Sequence, residues 1–412
     1  MPPAPRIAYL TGEYPAVSHT FILREVEALR ELGLEVETCS IRQTDPKHHR
    51  GPSEKDAAAS TFYVLRAAKN PLTLLKAKLS HMKNPGQFFR AFMLAMKTGS
   101  PGIKGRLYQF FYFTEAMVLA HHLKAQGVTH LHNHFADSSA SVSMLTAELA
   151  GIDYSFTLHG PADLFEAPRW RLDEKTKRAK FVACISHFAR SQLMLFSDPA
   201  DWHKLKIIHC GVLPEMYASA DRDGDGCHLV FVGRLAAVKG LRVLLDAFGR
   251  VAGDHPGLKL TLVGDGDDRE ALEALAKPLG EAVRFTGYLS QSEVAETLAT
   301  ADALVLPSFA EGVPVVLMEA MASGRPVVAT RVAGVSELVE EGISGFLAPP
   351  GDAETLANRI SNLAADPDLR KRMGAAGRET VLAEFDIRKE AARIAGLFRG
   401  EMRDNPRPDL AD

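Results

Sequence analysis

Short apolar runs alternate with amphipathic stretches along most of this chain, and in mid-sequence the alternation starts afresh. Residues 6–10 read as a strand, residues 20–33 as a helix stopped at Gly33, and Glu35 to Ile41 as a second strand. Two strands joined by a crossover helix lie parallel, and parallel sheets are stable with both faces covered. The expected fold class is therefore α/β. Further strands are expected at 129–136, 154–158 and 181–186 and a last strand and turn over 205–212, with a small-residue helix from Ser138 to Gly151. After a polar Gly/Asp-rich linker from Ala218 to Gly226, the pattern restarts at His228-Leu229-Val230-Phe231-Val232. Strands follow at 258–263, 283–289, 303–306, 326–330 and 345–349, then helices over 352–365, 367–384 and 386–402 and a disordered tail from Asp404. A chain of 412 residues is long enough for two cores. The expected domains are 1–215 and 216–384, with 385–412 remaining as a helix and tail. Ligands of open α/β sheets bind outside the C-terminal ends of the strands, so two such halves predict a cleft between two sheets.

The turn beyond Ala303–Leu306 carries the densest chemistry, with Glu311, Gly312, Val313 and Pro314 ahead of a helix that closes at Gly324. Pro314 is expected at the first helical position, where a missing N–H costs nothing. The amides of Gly312 and Val313 then precede a helix start, with the positive end of its dipole behind them. Glu319 is placed one and a half turns in, among Val316, Leu317, Met318 and Ala320, where a carboxylate short of donors is costly. Vicinal hydroxyls of a sugar or ribose would supply those donors. Taken singly, Glu311 reads as a solvated loop acid and Glu319 as the polar face of a helix. The strand at 228–232 runs into Gly233-Arg234 and then Lys239-Gly240, an arrangement suited to a diphosphate, with Arg as a fork and Lys as a point charge. Gly264 and Gly266 read as backbone approached closely by a ligand. The competing reading, Asp265 and Asp267 as an acidic metal cage, fits less well in mid-domain among repeated units. In the first half, Gly12 lies in the turn after the first strand and His159 at the tip of the strand 154–158. His130, His132 and His134 alternate along a strand end without a nearby cysteine or a His-x-x-x-His helix, which favours structural histidines over zinc.

Composition is that of a globular protein, 46% hydrophobic and 24% charged, and a net charge of −3 argues against nucleic acid as a partner. Cys39, Cys184, Cys210 and Cys227 are scattered, as reduced buried thiols are. The N-terminus lacks the pattern of a signal peptide and no run of 18 apolar residues occurs, so the expected location is cytoplasmic, with peripheral contact to the inner face of the plasma membrane left open. One segment stands apart. Residues 57–114 contain nine Lys or Arg and no Asp or Glu, interleaved with Leu, Met and Phe. Such a stretch suits an anionic membrane surface, or forms helices whose cations merely face water.

Two glutamates with seven residues between them, Glu311 and Glu319, with Gly-x-Pro after the first, resemble the signature of retaining glycosyltransferases of the GT-B type, family four. The resemblance spans nearly the whole chain and is strongest from Val230 to Pro349. Its opening βαβ unit resembles that of bacterial polysaccharide glycosyltransferases of the colanic-acid type, although His19 stands where a glutamate is usual. The resemblance implies a GT-B fold of two Rossmann-like domains facing across a cleft, with the C-terminal helix crossing back to the first. It implies that Glu319 binds ribose, Arg234 and Lys239 the diphosphate, Glu311 with the Gly312–Val313 amides the sugar ring, and that His159 contacts the reacting sugar. Tyr288 would lie near the base. The implied substrates are a UDP- or GDP-linked sugar donor and a saccharide or lipid-linked oligosaccharide acceptor, with no cofactor and no metal. A nucleotide-sugar epimerase and a non-catalytic sugar-nucleotide binder remain the rival readings. A nicotinamide dehydrogenase fits poorly, since no Gly-x-Gly-x-x-Gly follows the first strand.

Overall fold

A computed structural model describes residues 5–16, 19–46, 49, 51–217 and 226–401. The linker segment Ala218–Asp225 and the tail from Asp404 lie outside the described residues. The chain divides into two compact units, one made of residues 1–209 together with 390–412, the other of residues 210–389.

The first unit is built on a seven-stranded sheet. Its strands are β1 (Ile7–Glu13), β2 (Val36–Arg42), β3 (Phe62–Tyr63), β4 (His130–His134), β5 (Asp153–Leu158), β6 (Val182–Cys184) and β7 (Leu205–Ile207). All neighbours are parallel, in the order β3-β2-β1-β4-β5-β6-β7. Ile7, Ala8 and Leu10 of β1 and Phe156 and Leu158 of β5 are fully buried, as strands covered on both faces must be. The helix Ile387–Phe398 supplies this unit's last piece: Ile394, Ala395 and Phe398 are buried, and the Phe398 ring meets Tyr9, His130 and Phe181 edge-on. Glu390 accepts a hydrogen bond from the His209 N–H at 2.8 Å.

The second unit holds a six-stranded sheet of β8 (His228–Val232), β9 (Lys259–Val263), β10 (Val283–Gly287), β11 (Ala303–Leu306), β12 (Val327–Thr330) and β13 (Gly345–Ala348). Its order is β10-β9-β8-β11-β12-β13, again parallel throughout. The helix Leu241–Val251 shows why such sequences cover sheets. Leu241, Leu244, Leu245, Phe248 and Val251 fall at helical spacing and are all buried, while Arg242, Asp246 and Arg250 face out.

Both sheets reverse their strand order once, between β1 and β4 and between β8 and β11. Loops leaving the carboxyl ends there diverge to opposite faces and open a crevice. Within the strand and turn expected over 205–212 the strand is Leu205–Ile207, and β3, only two residues long, had no visible run of its own.

Candidate functional site

In the second unit the candidate residues gather at the β8/β11 reversal. The loop after β8 is tied to the loop after β9: Gly233 N–H donates to the Val263 carbonyl at 2.9 Å, and Leu235 N–H to that of Asp265 at 2.9 Å. A Cβ on Gly264, whose φ is +130°, would lie 1.9 Å from the Gly233 oxygen, and one on Gly266 would lie 2.3 Å from the Leu235 oxygen. One physical reason for these glycines is the neighbouring loop, whose oxygens lie where a side chain would have to be.

Beyond Leu235 the chain makes a short turn, Ala237–Lys239, and enters the next helix at Gly240 with φ +66°. A Cβ on Gly240 would sit 2.1 Å from the Pro307 oxygen, and Phe309 N–H donates to the Val238 carbonyl at 2.8 Å. The loops after β8 and β11 are therefore clamped backbone to backbone. That clamp brings Lys239 Nζ to 2.6 Å from Glu311 Oε1, the two side chains being 22% and 11% exposed. Arg234, in the same loop, is exposed and makes no ion pair with any described residue.

Glu311 and Glu319 sit before and within the helix Val315–Ala322. Pro314 occupies the N-cap with ψ 121°, not the first helical position, so Glu319 lies about one turn in. The expectation that its carboxylate lacks donors is also corrected, because Tyr217 donates its hydroxyl to Glu319 Oε1 at 2.7 Å. The Gly312 carbonyl accepts from Gly334 N–H at 3.1 Å, Val313 is buried, and Tyr288 is half-exposed just past β10.

In the first unit the β1/β4 reversal carries the other candidates. Gly12 lies within the end of β1 and not in a turn. His159 follows β5 directly, and its Nε2 shares a hydrogen bond with His134 Nδ1 at 2.9 Å. His134 Nε2 lies 3.4 Å from Glu25 Oε1, which accepts from the Tyr9 hydroxyl at 2.5 Å. Burial, then the neighbouring His134 and His19, holds His159 well below the ordinary imidazole range, so it is neutral. Its backbone is fixed by Asp163, which accepts the His159 and Ala136 N–H groups at 3.2 and 2.9 Å and is itself raised to about 6 by burial. Lys175 donates to the Ala136 and Asp137 carbonyls at 2.7 and 2.8 Å, and burial lowers it to about 7.

The alternating histidines lie on one face of β4. Glu25, His132 and His134 offer ligand atoms within 4.8 Å of one another. Both nitrogens of His132 are engaged by hydroxyls, Ser155 at 2.7 Å and Thr157 at 2.8 Å, which accounts for a buried neutral ring without an ion.

Sequence reasoning missed Tyr217, Glu25, Asp163 and Lys175. Glu25 did carry a signal, since it falls at i+3 from Ile22 in an otherwise apolar stripe with Val26 and Leu29. Tyr217 carried none, standing 102 residues from the carboxylate it serves.

Residues 226–366 match the family described as Glycosyl transferases group 1. Along most of its length the chain is similar to the amylovoran biosynthesis glycosyltransferase AmsK of Erwinia amylovora, at 28% identity over 376 residues, 85% of this chain and 89% of that protein. It is also similar to the putative colanic acid biosynthesis glycosyltransferase WcaL of Salmonella typhimurium, at 26% identity over 96% of this chain and 99% of that one. Among solved structures it resembles sucrose-phosphate synthase from Thermosynechococcus elongatus, with a TM-score of 0.73 at 22% identity over 96% of this chain and 99% of that one. It resembles Anabaena HepE in complex with UDP to a similar degree, with a TM-score of 0.72 at 18% identity over 96% of this chain and 100% of that one. The fold shared with these neighbours is GT-B.

Proposed function

We propose, from the membership of residues 226–366 in the group 1 glycosyl transferases, that this chain moves a sugar from a nucleotide diphosphate donor onto a saccharide or lipid-linked oligosaccharide in polysaccharide assembly. The single observation that carries the proposal is the clamped pair of loops at the β8/β11 reversal, which sets Lys239 beside Glu311, with Arg234 exposed in the same loop after β8, at the carboxyl end of a parallel sheet. Two cations at such a crevice suit the charge that grows on a departing diphosphate. Glu319, oriented by Tyr217, takes the ribose hydroxyls. Glu311, neutralised by Lys239, orients the sugar ring together with the amides of Gly312 and Val313. An ion-paired carboxylate is a poor nucleophile, so the acceptor oxygen attacks from the leaving-group face with retention, and Arg234 and Lys239 take the place of a metal. His159, neutral and fixed by His134, hydrogen-bonds the reacting sugar.

The names of AmsK and WcaL support the assignment to exopolysaccharide assembly, and UDP in HepE makes uridine the first base to test. The experiment is a product assay with UDP-, GDP- and ADP-sugars, lipid-linked oligosaccharide acceptors and excess chelator. Free nucleotide together with a new glycoside of unchanged anomeric configuration is the expected result. A changed sugar still attached to its nucleotide, or binding without turnover, would overturn the proposal. Loss of activity with chelator would overturn its metal-free part.

A further inference from the structure

Helices on the surface of a globular protein ordinarily turn their large apolar side chains inward. Three consecutive helices of the first unit also carry large apolar side chains on their outer faces. In Pro71–Met82 the buried side chains are Ala77 and His81, while Leu72, Leu75, Leu79 and Met82 face outward at helical spacing, Leu72 being 68% exposed. In Pro85–Thr98 the inner face is Ala91, Leu94, Ala95 and Thr98, and the outer one carries Phe89, 62% exposed, and Met93. In Ile103–Ala125 the first two turns leave Ile103 89% exposed, with Leu107, Phe110 and Phe111 following on the outside. So much outward apolar surface marks a docking face.

The charges name what docks there. From Ala57 to Thr114 there is no acidic residue. Arg90 and Lys97 reach Glu148 and Glu174, but Lys76, Lys78, Lys83, Lys104 and Arg106 have no ion-pair partner among the described residues. A second copy of the chain would press these cations against their like. Among the described residues no helix is long and apolar enough to cross a membrane. We propose that the outer faces of the helices Pro71–Met82, Pro85–Thr98 and Ile103–Ala125 bind the surface of an anionic lipid bilayer, the apolar stripes entering the headgroup region while the unpaired cations meet lipid phosphates. Binding is peripheral and reversible, and it does not depend on the glycosyl-transfer reading.

The test is flotation of the full chain with vesicles of equimolar phosphatidylglycerol and phosphatidylcholine, against phosphatidylcholine alone. The protein should float with the anionic vesicles at low salt and leave them at high salt. Each cation near the surface is worth about fivefold in partitioning, so Lys76→Gln with Lys83→Gln should weaken binding roughly 25-fold. Leu75→Ser with Leu79→Ser should abolish flotation without changing the melting temperature, since both side chains are already outside the core. Wild-type protein left in the aqueous fraction at low salt would overturn the proposal. So would flotation insensitive to both double substitutions, or a dimer in solution that the leucine substitutions dissociate.

Discussion

Lys239 and Glu311 hold each other across 2.6 Å in a place where neither is well solvated, so altering one disturbs both. Lys239→Ala should lower turnover at least tenfold, about 1.4 kcal/mol in activation free energy, and leave Glu311 without its cation. Arg234→Ala should show the same kinetic loss with an unchanged melting temperature, because Arg234 is exposed and without an ion-pair partner among the described residues. Steady-state kinetics beside thermal melts check both; a near-normal rate in either variant would remove the assigned clamp. Tyr217→Phe takes the donor from Glu319 Oε1 and should cost about 1 kcal/mol of stability while raising the KM for the donor more than it lowers kcat.

At the scale of elements, the loops after β8, β9 and β11 depend on glycine because carbonyl oxygens fill the space a Cβ would need. Gly264→Ala meets both that clash and a φ of +130°, and should destabilise the second unit by more than about 3 kcal/mol in denaturant titration. The strands and helices of this unit were legible because runs such as Ala303–Leu306 and the Leu241–Val251 stripe carry their own period. The carboxylates and cations of the site were legible through their placement at strand ends. What held them was not. The pairing of Lys239 with Glu311 spans 72 residues and that of Tyr217 with Glu319 spans 102, and no local pattern encodes a contact made only when loops meet. The helix start slipped by one residue because Pro314 serves as well in the extended conformation of a cap as in a first turn.

For the molecule as a whole, the two units should respond differently to acid. Burial lowers His19 to about 4 and His130 to about 3, and pushes His132 and His159 well down, all four in the first unit. A lowered histidine keeps its stability above pH 6.5 and loses it as pH falls toward the folded value, because the unfolded chain takes the proton first. Asp163 and Glu115, raised to about 6 and about 7, act oppositely in that window, but they stand against these four and His81, which burial also lowers. Calorimetry between pH 7 and pH 4.5 should show the first unit's transition moving down while the second unit's holds, and His130→Gln should flatten the slope. A common shift of both transitions would contradict this. The first unit also owes part of its interior to the far end of the sequence, where Phe398 and Ile394 are buried and Glu390 anchors the His209 amide. Synthesis runs from the N-terminus, so the half of the protein made first is the half completed last. A chain ending at Lys389 holds all of the second unit, while the first is left with an open seam. Protein truncated after Lys389 should yield a protease-resistant fragment from residues 210–389 and none from residues 1–209.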